Sequence, residues 1–366
     1  MASNSLKIDR FFLASVAVLT LAGFVIFLSA SLGLLAQNGA SFGTIAMKQA
    51  VSLLIGAAAF FILSRVKYSF WRKTAFFVLS LAIVLNLLLF IPKLSLYHGG
   101  ASRWINLGFL TFQPSEFLKI AFIIYVAAWL QHVKEKVKTL KFGLVPFVVL
   151  VAVLSILLLI QSDTDTLVII SFTGLVMFLI AGLPMKHMFL AGALLVILVA
   201  GVIVFRPYAL ERVKVFFDRG SDTQGAGYQI NQSLIAIGSG RFVGRGFGQS
   251  IQKFGYLPQP TDDSIFAVAA EEFGFVGGIF LLALYLFFSI ASFRIGARAP
   301  DTFGGMLAVG IGVLIVTESF LNMGAMLGLV PLSGVPLLFI SHGGTALIIT
   351  LAAAGIVANV SKYSSN

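Results

Sequence analysis

The chain reads as long apolar runs broken by short polar punctuation, with little of the strict alternation that marks a half-buried strand. A helix needs roughly 20 apolar residues to cross a hydrocarbon core. Runs of that kind lie near 11–36, 46–65, 74–92, 112–131, 141–160, 165–182, 187–205, 264–293, 303–326 and 339–361. The pattern predicts an all-α polytopic membrane protein of about ten transmembrane helices, forming a single integral domain over 1–366. The run at 112–131 is the least uniform, because Gln113, Glu116 and Lys119 interrupt it. The run at 264–293 is long enough to tilt or to protrude. Between the seventh and eighth runs, residues 206–262 make a loop too long for a plain connection. Its first part, RPYALERVKVFFDRG, suits a helix lying in the interface. Its second part, GYQINQSLIAIGSGRFVGRGFGQS, is glycine-rich but lacks a GK[ST] ending, so tight turns at a bilayer surface are expected there rather than a nucleotide loop.

Composition agrees: 59% of the residues are hydrophobic and 11% charged, which excludes the soluble globular class. The absence of cysteine excludes disulfides and thiolate metal sites, and the four His form no HExxH-type cluster. The first run has no small-residue cleavage site behind it and reads as a retained helix. The net charge of +11 matters through its distribution. Lys7, Arg10, Arg65, Lys67, Arg72, Lys73, Lys134, Lys136, Lys138, Lys141, Lys186, Arg294, Arg298 and Lys362 fall on one side, against Lys48, Lys93 and Arg103 in the short loops opposite. The positive-inside rule then puts both termini in the cytoplasm and 206–262 outside the cell.

The candidate chemistry centres on QKFGYLPQPTDDSIFAVAAEEFGFVGG, residues 252–278. Thr261 or Asp262 reads as a helix N-cap, with Asp262 and Asp263 in the first turn, where the helix dipole favours negative charge. One of these carboxylates can cap while the other faces inward as a general base. Glu271 and Glu272, about two turns deeper, read as structural partners. Glu116 and Lys119 share a helix face at i and i+3, either as a buried ion pair that fixes packing or as lining of a cavity for an anionic substrate. Glu318 and Asn322 invite the same two readings. Asp163 and Asp165 in QSDTDT could contribute oxygen ligands to a divalent cation or be a solvated loop. Arg103 and Trp104 could meet a phosphate and a sugar ring or simply anchor at the interface. Ser341-His342 lacks a nucleophile elbow, so no hydrolase is read there.

Four stretches, GGASRWINLGFLTFQPSEFLKI, QSDTDT, the segment from GYQINQS to FVGG, and NMGAMLGLVPLSGVPLLFISHGG, occur in the order typical of the SEDS family of bacterial envelope proteins (RodA, FtsW, SpoVE), which the chain resembles. The resemblance implies an inverting glycosyltransferase that polymerises lipid II into glycan strands and releases undecaprenyl pyrophosphate. It implies a multi-pass protein of the bacterial plasma membrane, working beside a class B penicillin-binding protein. Within the family the septal, FtsW-like members look closer than the elongation, RodA-like ones. The family pattern LPExHTDFIFA puts its catalytic Asp on Asp263, but Gln259, Thr261, Asp262 and Ser264 depart from it. QPSExxK falls on Gln113, Pro114, Ser115, Glu116 and Lys119 unchanged. Elsewhere Ser162 and Asp165 replace Pro and Gly, Glu318 replaces Gln, Leu338 replaces Pro, and His342 replaces the Tyr of SYGGS. Asp263 is the expected base, with Asp262, Glu116, Lys119, Arg103, Gln232, Lys253 and Arg245 supporting it or binding substrate. Cations for the leaving diphosphate are sought among Arg103, Lys119, Arg212, Arg241, Arg245 and Lys253, with Mg²⁺ or Mn²⁺ as a further candidate. A lipid II flippase and a non-enzymatic scaffold are the alternative classes.

Overall fold

A computed structural model describes residues 7–36, 42–91, 94–98, 101–106, 108, 111–218 and 225–364. Lys93, Gly99 and Gly100, to which the sequence reading gave a place, lie outside the described residues. Twelve α-helices are present among the described residues: α1 Arg10–Ser31, α2 Phe42–Leu63, α3 Tyr68–Leu87, α4 Pro114–Val133, α5 Val145–Ile160, α6 Thr164–Ile180, α7 Met185–Phe205, α8 Pro207–Phe217, α9 Ala226–Ser239, α10 Ile265–Ala297, α11 Thr302–Met326 and α12 Gly344–Ser361. Among the described residues nine of the helical segments are long and apolar enough to cross a membrane, and the shorter α6 is the tenth expected crossing. Among its described residues the long loop is structured, since α8 and α9 lie within it.

The helices are not equivalent. α11 packs against α4, α6, α10 and α12, and α4 also meets α3 and α6, so α4, α11 and α12 are buried nearly all round. α7 is largely exposed along its apolar length, as are the outer faces of α2 and α3, which suits contact with lipid. Three helix starts are fixed by side chains that accept backbone N–H groups. Asp9 accepts from Phe12 N at 2.9 Å, Asp163 from Thr166 N at 3.3 Å and Asp301 from Gly304 N at 2.8 Å.

The structure corrects the sequence reading in four places. First, a small antiparallel sheet, β1 Ser95–His98, β2 Ala101–Asn106 and β3 Thr111–Phe112, interrupts the all-α pattern. Second, α3 begins at Tyr68 rather than near 74, because Asn359 Oδ1 accepts its first N–H at 2.8 Å. Third, α12 begins at Gly344 rather than near 339, since the preceding residues form turns with Phe339 at φ 69°.

Fourth, α10 is broken at Gly274, whose φ of 66° and ψ of −164° are not helical. An unbroken helix would have Phe275 and Val276 N–H donate to the carbonyls of Glu271 and Glu272. Those carbonyls instead accept from Arg245 N at 3.0 Å and Gly246 N at 2.9 Å. The freed N–H groups donate to Arg241 O at 2.9 Å and Phe242 O at 3.1 Å. The glycine-rich segment is thus inserted into the helix, and its backbone supplies partners for these four groups that the break frees. An added Cβ at Gly274 would collide with the backbone N of Gly244, so this close approach requires glycine.

Candidate active site

α10 does not start at the Asp pair. Its N-cap is Ser264, and Asp262 and Asp263 sit in the turn before it. The reason lies in three consecutive carbonyls that a helix would have used. Thr261 O accepts from His342 N at 2.7 Å, Asp262 O from Ser341 Oγ at 2.7 Å, and Asp263 O from Asn322 Nδ2 at 2.8 Å. Asn322 also donates to Val335 O at 2.8 Å, and Ser341 Oγ accepts from Leu337 N at 2.9 Å. The backbone of the Asp pair is therefore clamped by α11 and by the segment before α12.

The clamp presents both carboxylates to a cavity of about 400 Å³ at one end of the bundle. Arg103 and Trp104 reach it from β2, Tyr208 and Arg212 from α8, Gln229 from α9, and His342 from the turn before α12. The half-buried Asp263 carboxylate makes no hydrogen bond among the described residues. Burial, then the like charge of Asp262, push its pKa up to about 7, against the pull of Arg212. A carboxyl poised near neutrality in a lined cavity has the properties of a general base.

Arg212 Nη1 lies 3.1 Å from Asp165 Oδ2, and its guanidinium stacks 4.2 Å from the Tyr208 ring centroid. Arg103 donates to the carbonyls of Gln161 and Ser162. Both guanidinium groups are thus steered into the cavity by neighbours that leave part of each fork available. Beside this cavity an apolar groove of about 270 Å³ runs between α6, α7, α8 and α11, lined by Val168, Val199, Val202, Val213 and Leu321. Arg212 borders both spaces.

Other expected site residues lie elsewhere. Lys253 is fully buried, 2.7 Å from Glu272 Oε1 and 3.0 Å from Ser29 Oγ, so it is not open to a diphosphate. Arg245 pairs with Glu271 at 3.3 Å, away from the cavity lining. Glu271 and Glu272 are structural, as the sequence suggested: they hold the 245–253 segment through Ser250, Ile251 and Gln252 as well. Gln232 is half-buried on α9, but the helix lines the cavity through Gln229, three residues earlier. Arg241 is likewise outside the lining. Glu116 and Lys119 do pair, at 2.8 Å, and the expected Glu318–Asn322 partnership gives way to Lys119–Glu318 at 2.6 Å.

Asp163 gives Oδ1 to the α6 cap and keeps a buried Oδ2 without a hydrogen-bond partner, while Asp165 serves Arg212 and the Gly334 N–H at 3.3 Å. Among the described residues no three His, Asp or Glu side chains converge as metal ligands.

The family model for cell cycle proteins of the FtsW, RodA and SpoVE type matches residues 9–366. The chain belongs to this SEDS family. It is 35% identical over 319 residues to stage V sporulation protein E of Bacillus subtilis (strain 168), covering 87% of each chain. It is 35% identical over 353 residues to the probable peptidoglycan glycosyltransferase FtsW of Trichlorobacter lovleyi, covering 96% of this chain and 93% of that one. Among solved structures, a chain from a peptidoglycan synthase complex that coordinates polymerization and crosslinking superposes with a TM-score of 0.79 at 25% identity, over 97% of both chains. The rod shape determining protein RodA of Thermus thermophilus shares the fold, with a TM-score of 0.70 at 24% identity over 99% of both.

Within this SEDS framework, sequence reasoning missed Ser341 and His342 as partners of the Asp pair and Gln229 as a lining residue. One signal was present for His342: an Asp beside the expected base and a His in place of Tyr are two departures that meet in space.

Proposed function

We infer that this chain is an inverting peptidoglycan glycosyltransferase that polymerises lipid II into glycan strands. The observation that carries the reading is the Asp263 carboxyl, held near neutrality without a hydrogen-bond partner in a cavity shared with Arg103 and Arg212. Asp263 takes the proton of the 4-hydroxyl on one lipid-linked disaccharide as that oxygen attacks the anomeric carbon of a second. A new C–O bond forms, the bond from the anomeric carbon to the diphosphate oxygen breaks, and undecaprenyl pyrophosphate departs with its electron pair. Arg103 and Arg212 meet the charge of that leaving group. The apolar groove beside Arg212 takes the first part of an isoprenoid tail. A divalent cation, Mg²⁺ or Mn²⁺, enters this reading only as a companion of the substrate diphosphate.

The Lys/Arg distribution supports a bacterial plasma-membrane location with both termini in the cytoplasm and the cavity facing outward. Relatives named FtsW favour the septal role over the elongation role. A class B penicillin-binding protein is the proposed partner, supported by the synthase complex that contains the structural neighbour.

The test is strand formation from purified lipid II by wild type, Asp263→Ala and Asp262→Ala, with and without a cognate transpeptidase and divalent cation. Loss of polymer in Asp263→Ala alone is expected; loss in Asp262→Ala alone moves the base by one residue. A folded wild type that makes no polymer yet moves lipid II across vesicles replaces this reading with the flippase.

A further inference from the structure

Asp262 and His342 meet at the rim of the cavity, with Oδ1 3.4 Å from Nδ1. Both line the space into which Asp263 projects. The imidazole is held from its other face by Phe27 of α1, stacked at 5.7 Å between centroids and 19° between planes. Its place does not depend on the carboxylate, because the His342 backbone N–H is bound to Thr261 O at 2.7 Å.

Charge makes the contact more than packing. The titratable and charged groups around the cavity are Asp262, Asp263, Asp165, Arg103, Arg212, Tyr208 and His342. Three carboxylates face two guanidinium groups, and Asp165 already occupies one of those. A diphosphate substrate adds further negative charge. Asp262, the carboxylate adjacent to Asp263, has the imidazole as its one basic neighbour within ion-pair distance among the described residues, and the contact is an ion pair when the imidazole is protonated. Histidine is the side chain whose ordinary titration falls in the pH range where such a partner gains or loses its charge.

We propose that His342 is a positioning residue of the reaction, acting through Asp262: its imidazole holds that carboxylate and offsets its charge, leaving Asp263 as the open carboxylate. The proposal rests on the glycosyltransferase reading above. With the imidazole in place Asp262 is turned toward the rim, and its repulsion of the Asp263 charge and of the diphosphate is reduced. Without it Asp262 is an unpaired anion beside the base.

The experiment is the pH profile of strand formation for wild type, His342→Gln, His342→Lys, Asp262→Asn and the Asp262→Asn/His342→Gln double variant. Activity rises with pH as Asp263 loses its proton. His342→Gln is expected to move that limb up by about half a pH unit and Asp262→Asn to move it down by about as much. His342→Lys returns the limb toward wild type, and the double variant follows Asp262→Asn. An unmoved limb in His342→Gln, or shifts in the two single variants that add in the double, overturns the proposal. A second measurement needs no turnover: the His342 imidazole titration followed by NMR, assigned by its loss in His342→Gln. A downward move of that titration in Asp262→Asn supports the pair and no move refutes it, even if the wild type polymerises nothing and the glycosyltransferase reading fails.

Discussion

Asn322 donates one amide hydrogen to the carbonyl of Asp263 and the other to the carbonyl of Val335, both at 2.8 Å. One buried side chain on α11 thus ties the turn that carries Asp263, the proposed base, to the segment before α12. Loop residues that carry chemistry need such a scaffold, because an error of about 1 Å in a reacting group can cost on the order of 10²-fold in rate. Asn322→Ala leaves two buried carbonyls without donors, a loss of about 1–3 kcal/mol. Strand formation is expected to fall by about 10²-fold in kcat with KM nearly unchanged. A matching rise in KM with kcat intact would make Asn322 a binding group instead.

Asp263 itself gives a stability prediction whose sign follows from its pKa, pushed up to about 7. An unfolded Asp titrates near about 3.9, so the folded state holds its proton more tightly and the neutral form is favoured on folding. The stability linked to this group is fully present below about pH 4 and is lost progressively as pH rises to about 7. Asp263→Asn mimics the neutral form. In detergent it is expected to melt a few degrees above wild type at pH 8 and together with it at pH 4, while making no polymer. Equal melting at both pH values would place the carboxyl in an ordinary, well-solvated setting.

The helices were legible because bilayer thickness imposes their length and composition, and the apolar runs announce both. β3 was not, since a strand of two residues carries no alternation to read. The start of α10 was misplaced for a physical reason: capping rules weigh local partners, whereas the Asp262 and Asp263 carbonyls are taken by Ser341 and Asn322, 79 and 59 residues away. Lys253 and Arg245 looked open for the same reason, because a charge in a glycine-rich loop shows no sign of the buried carboxylate it meets. The Glu116–Lys119 pair was legible because ionisable residues in apolar surroundings are conspicuous.

The Lys119 ammonium lies 2.8 Å from Glu116 and 2.6 Å from Glu318, and all three side chains are buried. Two carboxylates share one cation, so the arrangement depends on Lys119 more than on either acid. Lys119→Met strands both carboxylates and is expected to destabilise by about 3–5 kcal/mol, enough to prevent recovery of folded protein. Glu318→Gln, the residue usual in the SEDS pattern, keeps a hydrogen bond to Lys119 and balances the charges one to one. It is expected to melt at or above the wild-type temperature and to retain strand formation. Size-exclusion and thermal-melting profiles of the two variants check this; a Glu318→Gln protein as damaged as Lys119→Met would mean that the second carboxylate is itself required.

The break in α10 makes the last prediction. Gly274 sits at φ 66°, and the four replacement hydrogen bonds form only if Arg241 to Gly246 can lie against its backbone. In Gly274→Ala the new methyl meets Gly244 N, so the inserted segment must withdraw or α10 must restore its own hydrogen bonds. Either way the Arg245–Glu271 contact at 3.3 Å and the buried Lys253–Glu272 contact at 2.7 Å lose their backbone support. The left-handed conformation alone costs a residue with a side chain about 1–3 kcal/mol. Limited trypsin digestion in detergent reads the outcome directly, because Arg241, Arg245 and Lys253 all lie in the segment that would be released. Wild type is expected to resist cleavage there, and Gly274→Ala to be cut at these residues with a lower melting temperature. Equal resistance in the two proteins would mean that the inserted segment is held by the Glu271 and Glu272 side chains alone, and that the helix break is incidental to it.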